Sequence, residues 1–157
     1  MKKLVVLIGI LVYCSILLTG CIDPGSYYFD DPADQVVSIE LIHYDNPEAK
    51  EVFNYNLKAE KVLSFDFDKM KTLEVLPEEN KDTFVDELAQ DEFLMLWRHM
   101  DSPQGKCLKI NYADETFTII SFEVSFSCRY NQDGSANTII GSRGNPQLVN
   151  NYFQTQI

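Results

Sequence analysis

Chemistry in a chain this size would be sought first at histidine, whose ring titrates near neutrality and ligates metals. There are two, His43 and His99. Neither sits in an H-E-x-x-H frame or any other spaced ligand pair. They could meet in space as a metal or acid–base pair; the plainer expectation is two sheet residues with satisfied or solvated rings. A serine hydrolase would need its nucleophile on an elbow such as G-x-S-x-G, and no such frame occurs. Gly141-Ser142-Arg143-Gly144 lacks both the phosphate-loop spacing and its Lys-Ser/Thr pair, so it reads as a turn. Asn131-Gln132-Asp133-Gly134 opens like a calcium loop but has no completing Glu at the twelfth position, so a hairpin turn is expected. Paired carboxylates are numerous, but among 24 acidic residues they single nothing out. The expectation is a chain with no cofactor, no metal site and no catalytic residues.

Four cysteines remain: Cys14, Cys21, Cys107 and Cys128. No pair has zinc-finger spacing. Cys21 stands apart because of what precedes it. Lys2 and Lys3 are followed by an uncharged apolar run of 15 residues, Leu4 to Leu18. That length suits a secretory h-region and falls short of the roughly 20 residues of a membrane-spanning helix. The run ends in Leu18-Thr19-Gly20-Cys21: an aliphatic residue, two small residues and cysteine. This resembles the lipobox of bacterial lipoproteins. The resemblance is confined to the leading segment, where all its parts occur in order. It implies a signal peptide over residues 1–20, cleavage before Cys21, diacylation of the Cys21 sulfur, and a domain on the extracytoplasmic face of a cell membrane. The small residues let an extended chain enter a narrow protease cleft. Each buried methylene contributes about 0.8 kcal/mol, so two or three acyl chains on one cysteine anchor durably where one alone does not.

Removal of residues 1–20 would discard Cys14 and occupy Cys21. Cys107 and Cys128 would then be the remaining thiols, in a compartment where disulfides persist. A bridge between them is expected. The hairpin proposed below sets Cys107 opposite Ile120, whose parity Cys128 shares. If the chain instead reverses near Glu123, a strand lies between the two and a bridge is out of reach.

The formal charge is −11, and without Lys2 and Lys3 it becomes −13, from 11 basic and 24 acidic side chains. That argues against nucleic acid, whose phosphates demand clustered Lys and Arg, and against a domain drawn electrostatically to anionic lipid. A cation, a basic peptide or an amine-bearing polymer would be compatible, although acidity also simply keeps an exported protein soluble. The 136 residues after Cys21 make one domain, and 45% hydrophobic content makes it a packed one. The partners expected are the membrane, through lipid, and an envelope protein, peptide or polymer. The function expected is a non-enzymatic binding or shielding module. The alternatives are a small envelope enzyme working through carboxylates and an inhibitor or immunity-like protein.

The elements that position these residues can be read in outline. Residues 21–34 read as the lipidated cysteine and a tether, with Pro24, Gly25, Ser26 and Pro32; Tyr27-Tyr28-Phe29 within it is expected to pack on the domain's edge. The globular domain is expected over residues 35–157. Val36 to Tyr44 alternates as a half-buried strand, with Val37, Ile39 and Leu41 on its buried face. Asn46-Pro47 marks a short helix through Phe53, and Lys71 to Leu76 a second strand. Pro77 opens the main helix, running to about Gln90 with Phe84, Val85 and Leu88 buried. Phe93 to Trp97 reads as a buried strand. A tight turn at Ala113-Asp114 would pair Ile110 with Phe117 and Leu108 with Ile119, and Phe122, Val124, Phe126 and Cys128 would continue on the face of Ile120. Asp133-Gly134 supplies another hairpin turn before Thr138. Asn145-Pro146 caps a last helix containing Leu148, Val149, Tyr152 and Phe153. The class is α+β: a mostly antiparallel sheet, one main helix packed on it and a short C-terminal helix.

The main helix carries the one charge pattern that suggests a contact surface. Residues four apart on a helix are neighbours, so Glu78, Asp82 and Asp86 form a like-charge column that Glu79 widens. A basic partner would relieve the repulsion; the bland reading is a solvated face screened by salt. Replacing both Asp82 and Asp86 with Asn should stabilise the free domain by about 0.5 kcal/mol, read by thermal unfolding. The same change should weaken capture of a basic partner at low salt.

Overall fold

The computed structural model describes residues 26–29, 31–45, 64–90, 92–94, 103–123, 127–139 and 145–157, with backbone alone at 26–28, 92–94 and 139. In chain order the elements are β1 (Ser26–Tyr28), β2 (Val36–Tyr44), β3 (Met70–Val75), α1 (Glu78–Leu88), β4 (Glu92–Leu94), β5 (Gly105–Tyr112), β6 (Phe117–Ser121), β7 (Ser127–Tyr130), β8 (Ala136–Ile139) and α2 (Pro146–Tyr152). Six strands form an antiparallel sheet in the order β3-β2-β5-β6-β7-β8, and β1 pairs with β4 as a separate ribbon. The class is α+β, with α1 the main helix and α2 the short C-terminal one.

The helices form where their ends are specified. Pro77 occupies the N-cap of α1, with Glu78 and Glu79 in the first turn beside the positive end of the helix dipole. The Asn145 side chain accepts a hydrogen bond of 3.0 Å from the Gln147 amide, and Pro146 begins α2. Phe84, Val85 and Leu88 of α1 meet Leu148, Val149 and Phe153 over one face of the sheet. The sheet contributes Val36, Ile39, Leu41, Leu108, Ile110, Tyr112 and Ile120 to this core.

The opposite face is also buried over part of its area. Ile42, Tyr44, Cys107, Phe117, Ile119, Cys128 and Tyr130 form a second core, closed by Phe65. The Phe65 ring stacks on Tyr44 at 4.5 Å and meets Phe117 edge-on at 5.2 Å. Its backbone amide donates to the Gly134 carbonyl at 2.7 Å. Gly134 is required there twice over. Its φ is +81°, and a Cβ would stand 2.3 Å from the Phe65 carbonyl oxygen.

Three expectations are corrected here. First, Val37 is not buried but 56% exposed, while Val36 is buried. A register irregularity between Val36 and Ser38 turns the start of β2, so the inward role passes to Val36. Second, the β5–β6 hairpin is one residue out of the expected register. Leu108 pairs with Ile120 and Ile110 with Thr118, because the connection spans residues 113–116 rather than two. Tyr112 N–H donates to the Thr116 carbonyl, and Glu115 adopts a left-handed φ of 64°. The slip moves Phe117 and Ile119 to the second core and Ile120 to the helix-side core, so Cys128, which pairs with Ile119, does not share the face of Ile120 as expected. Third, the stretch read as tether contributes to the fold from Ser26. Residues 26–28 form β1, and Phe29 is buried in the helix-side core.

Other boundaries agree with expectation. β2 spans the expected residues, the second strand is Met70–Val75, and α1 ends two residues before Gln90. Within the apolar run at 93–97, only Phe93 and Leu94 lie in a described strand. The helix expected through Phe53, Trp97, Val124 and Phe126 fall outside the described residues. Because Phe84 is fully buried and meets Tyr152 and Phe153 edge-on, Phe84→Ala should cost about 3–5 kcal/mol. The measurement is equilibrium unfolding in denaturant.

Candidate functional site

The residues singled out for chemistry are dispersed. Cys21 and His99 lie outside the described residues. His43 is exposed on β2, between Lys71 of β3 and Lys106 of β5 in the pairing register. Among the described residues no group of three or more His, Cys, Asp or Glu is placed to hold a metal ion.

Cys107 and Cys128 are both buried on the second face, and both are free thiols. The expected disulfide is not formed, for a topological reason. β6 lies between β5 and β7, with Cys107 opposite Ser121 and Cys128 opposite Ile119. Strands two apart in a sheet are about 9–10 Å from one another, beyond the roughly 7 Å that a disulfide spans between Cα atoms. Burial pushes each thiol up to about 12, so both stay protonated and poorly nucleophilic near neutrality.

The acidic face of α1 is present as expected: Glu78, Glu79, Asp82 and Asp86 are exposed on the helix. Lys81 relieves its N-terminal end. Its ammonium lies 2.7 Å from the Glu78 carboxylate, and this hydrogen bond raises the lysine's pKa. Asp82 and Asp86 stand exposed one turn apart.

Two polar constellations emerge that the sequence did not single out. The first surrounds Glu40 on the second face of the sheet. Its carboxylate accepts hydrogen bonds from Asn111 Nδ2 at 2.7 Å and Thr72 Oγ1 at 2.9 Å, with Lys109 Nζ at 3.6 Å. Asn111 also donates to Ser38 Oγ, and the Lys109 ammonium lies 5.3 Å from the centre of the Phe117 ring. These residues meet because Glu40 pairs with Lys109 across the β2–β5 seam while Ser38 pairs with Asn111. The side chains of Lys109 and Glu40 are 12% and 17% exposed, so the pair is largely shielded and oriented by its neighbours. The arrangement holds the Glu40 carboxylate in place.

The second constellation is centred on Arg129 of β7. Its guanidinium reaches Asp31 at 3.1 Å and Asp114 at 3.2 Å, donates from Nε to Thr116 Oγ1 at 2.9 Å, and lies 4.2 Å from the centre of the Tyr112 ring. The Asp114 pKa is lowered, first because the Thr116 hydroxyl and amide donate to it and further because Arg129 is near. Burial raises the Tyr112 phenol, which donates to Thr118 Oγ1 at 3.0 Å. One arginine thus fastens the chain that enters from residue 26 to the 113–116 turn and to β7. The Ala113 amide adds a bond to the Gln35 carbonyl at 2.9 Å. The pattern was not visible in advance because its five residues come from three distant stretches.

No protein-family model matches the chain, and no curated protein or solved structure does either.

The Arg129 geometry makes a specific demand. A lysine cannot bind two carboxylates and a hydroxyl through one planar fork while stacking on a ring. Arg129→Lys should therefore destabilise by about 2 kcal/mol, the scale of hydrogen bonds to charged groups. Limited proteolysis should show faster cleavage between residues 26 and 35. Rescue of both properties by lysine would show that charge alone suffices.

Proposed function

We propose that the chain is a membrane-anchored extracytoplasmic lipoprotein whose domain is a non-enzymatic binding or shielding module. The observation that carries the proposal is Leu18-Thr19-Gly20-Cys21 at the end of a charge-free apolar run behind Lys2 and Lys3. An acylated Cys21 is the anchor, so the segment before the domain serves as address and attachment rather than as a span. Among the described residues no helix is long and apolar enough to cross a membrane.

The binding or shielding role is supported by how the described polar groups are used. Arg129 is committed to Asp31, Asp114, Thr116 and the Tyr112 ring. Glu40 is committed to Asn111, Thr72 and Lys109. Glu74 accepts from the Gln154 and Thr155 amides, which lower its pKa and fasten the C-terminal segment to β3. Each of these carboxylates works inside the fold. Among the described residues the acidic face of α1 is exposed, and its charge suits a basic envelope protein, peptide or polymer.

Cys21→Ala should leave an unprocessed precursor or release the domain from the membrane fraction. Mass spectrometry of the wild-type membrane form should find acyl chains on Cys21 as the first residue. An unmodified Cys21 in that form would overturn the reading.

A further inference from the structure

The stretch of chain between Cys21 and the first described contact of the fold is short. β1 begins at Ser26 and is hydrogen-bonded to β4, with Ser26 opposite Leu94. Three residues later Phe29 is buried in the helix-side core, and Asp31 is held by Arg129. Only residues 22–25 separate the cysteine from β1. Five Cα–Cα steps of a fully extended chain span about 17 Å, and the ten steps to Asp31 span about 35 Å. A domain of about 130 residues has a radius of gyration of about 14 Å and is on the order of 35 Å across. The leash is therefore shorter than the domain it holds.

We infer that the domain is apposed to the lipid headgroup layer by this leash, resting on the part of its surface where the chain enters at β1. The inference rests on acylation of Cys21. It commits that surface to lipid, because a gap of about 17 Å excludes a globular partner of comparable size. The contact is imposed by length rather than attraction. The exported part carries a net charge of −13. Near the point of entry Asp34 and Glu115 are exposed, and Asp31 and Asp114 share one arginine. An anionic bilayer repels such a domain, and the repulsion reaches about 30 Å at 0.01 M salt against about 8 Å at physiological salt. The domain should rise from the surface as salt falls and stop at the leash limit. Binding partners are then met on the surfaces that face away from the bilayer.

Neutron reflectometry of the acylated full-length protein on a supported bilayer containing phosphatidylglycerol tests this. The quantity read is the water gap between headgroups and protein. The expected gap stays within about 17 Å at both 0.15 M and 0.01 M salt. Inserting about 20 Gly/Ser residues after Pro24 gives a flexible linker with a root-mean-square span of about 27 Å. The low-salt gap of that variant should exceed the wild-type value. A wild-type gap wider than about 25 Å, with Cys21 acylated in the same sample, overturns the leash and leaves the lipoprotein reading intact. Equal gaps for the two proteins at low salt also overturn it, since something other than the leash would then set the height. Absence of acyl chains on Cys21 by mass spectrometry overturns both.

Discussion

The antiparallel seam between β2 and β5 is the constraint on which the rest depends. Eight residues of β2, from Val36 to Tyr44, are matched with β5, and the seam is buried on both faces. Ile39 and Leu41 point with Leu108 and Ile110 toward the helices; Ile42 and Tyr44 point with Cys107 toward Phe65. A strand buried on both faces cannot slip by one residue without exchanging its two sets of side chains. Once the seam is set, β3 and β6 have one register each, and α1 and α2 have one apolar surface on which to lie.

That seam also places the charges. Glu40 and Lys109 face one another because their strands are in register, and Ser38, Thr72 and Asn111 supply the hydrogen bonds that a shielded ion pair needs. Removing one partner of such a pair leaves the other charge uncompensated, so these groups help to fix the sheet. Arg129 plays the corresponding part at the edge of the helix-side core. It joins the entering chain to a hairpin turn that lies far away in sequence. The two networks stand on opposite faces of the same sheet and share no residue, so their contributions should be close to additive.

The entry of the chain and the acidic helix face involve different elements. The chain enters through β1 and is fastened at Phe29 and Asp31. The acidic face of α1 remains exposed on the outside of the helix layer. The second face of the sheet is closed in part by residues 64–67, held by the Phe65–Gly134 bond and the aromatic contacts around it. The thiols beneath that cover are buried and protonated, so their role is packing.

Much of this was legible in the residues themselves. The proline before α1, the Asn145-Pro146 cap, the stripe of Phe84, Val85 and Leu88, and the limits of β2 all follow from local rules. Caps, fixed φ angles and hydrophobic period act within a few residues. The resemblance of Leu18–Cys21 to a lipobox is likewise a local pattern. What the residues alone misassigned was the register of β5 with β6, and with it the faces of Phe117 and Ile119 and the bridge expected between the two cysteines. Apolar side chains on both faces of these strands make either parity acceptable, so pattern could not choose. The choice fell to the turn at residues 113–116, whose left-handed Glu115 sets the offset, and β6 then came to lie between the thiols. The Arg129 and Glu40 networks belong to the tertiary structure alone. Their members are separated by up to 98 positions, and only a folded sheet brings such groups within the range of a hydrogen bond.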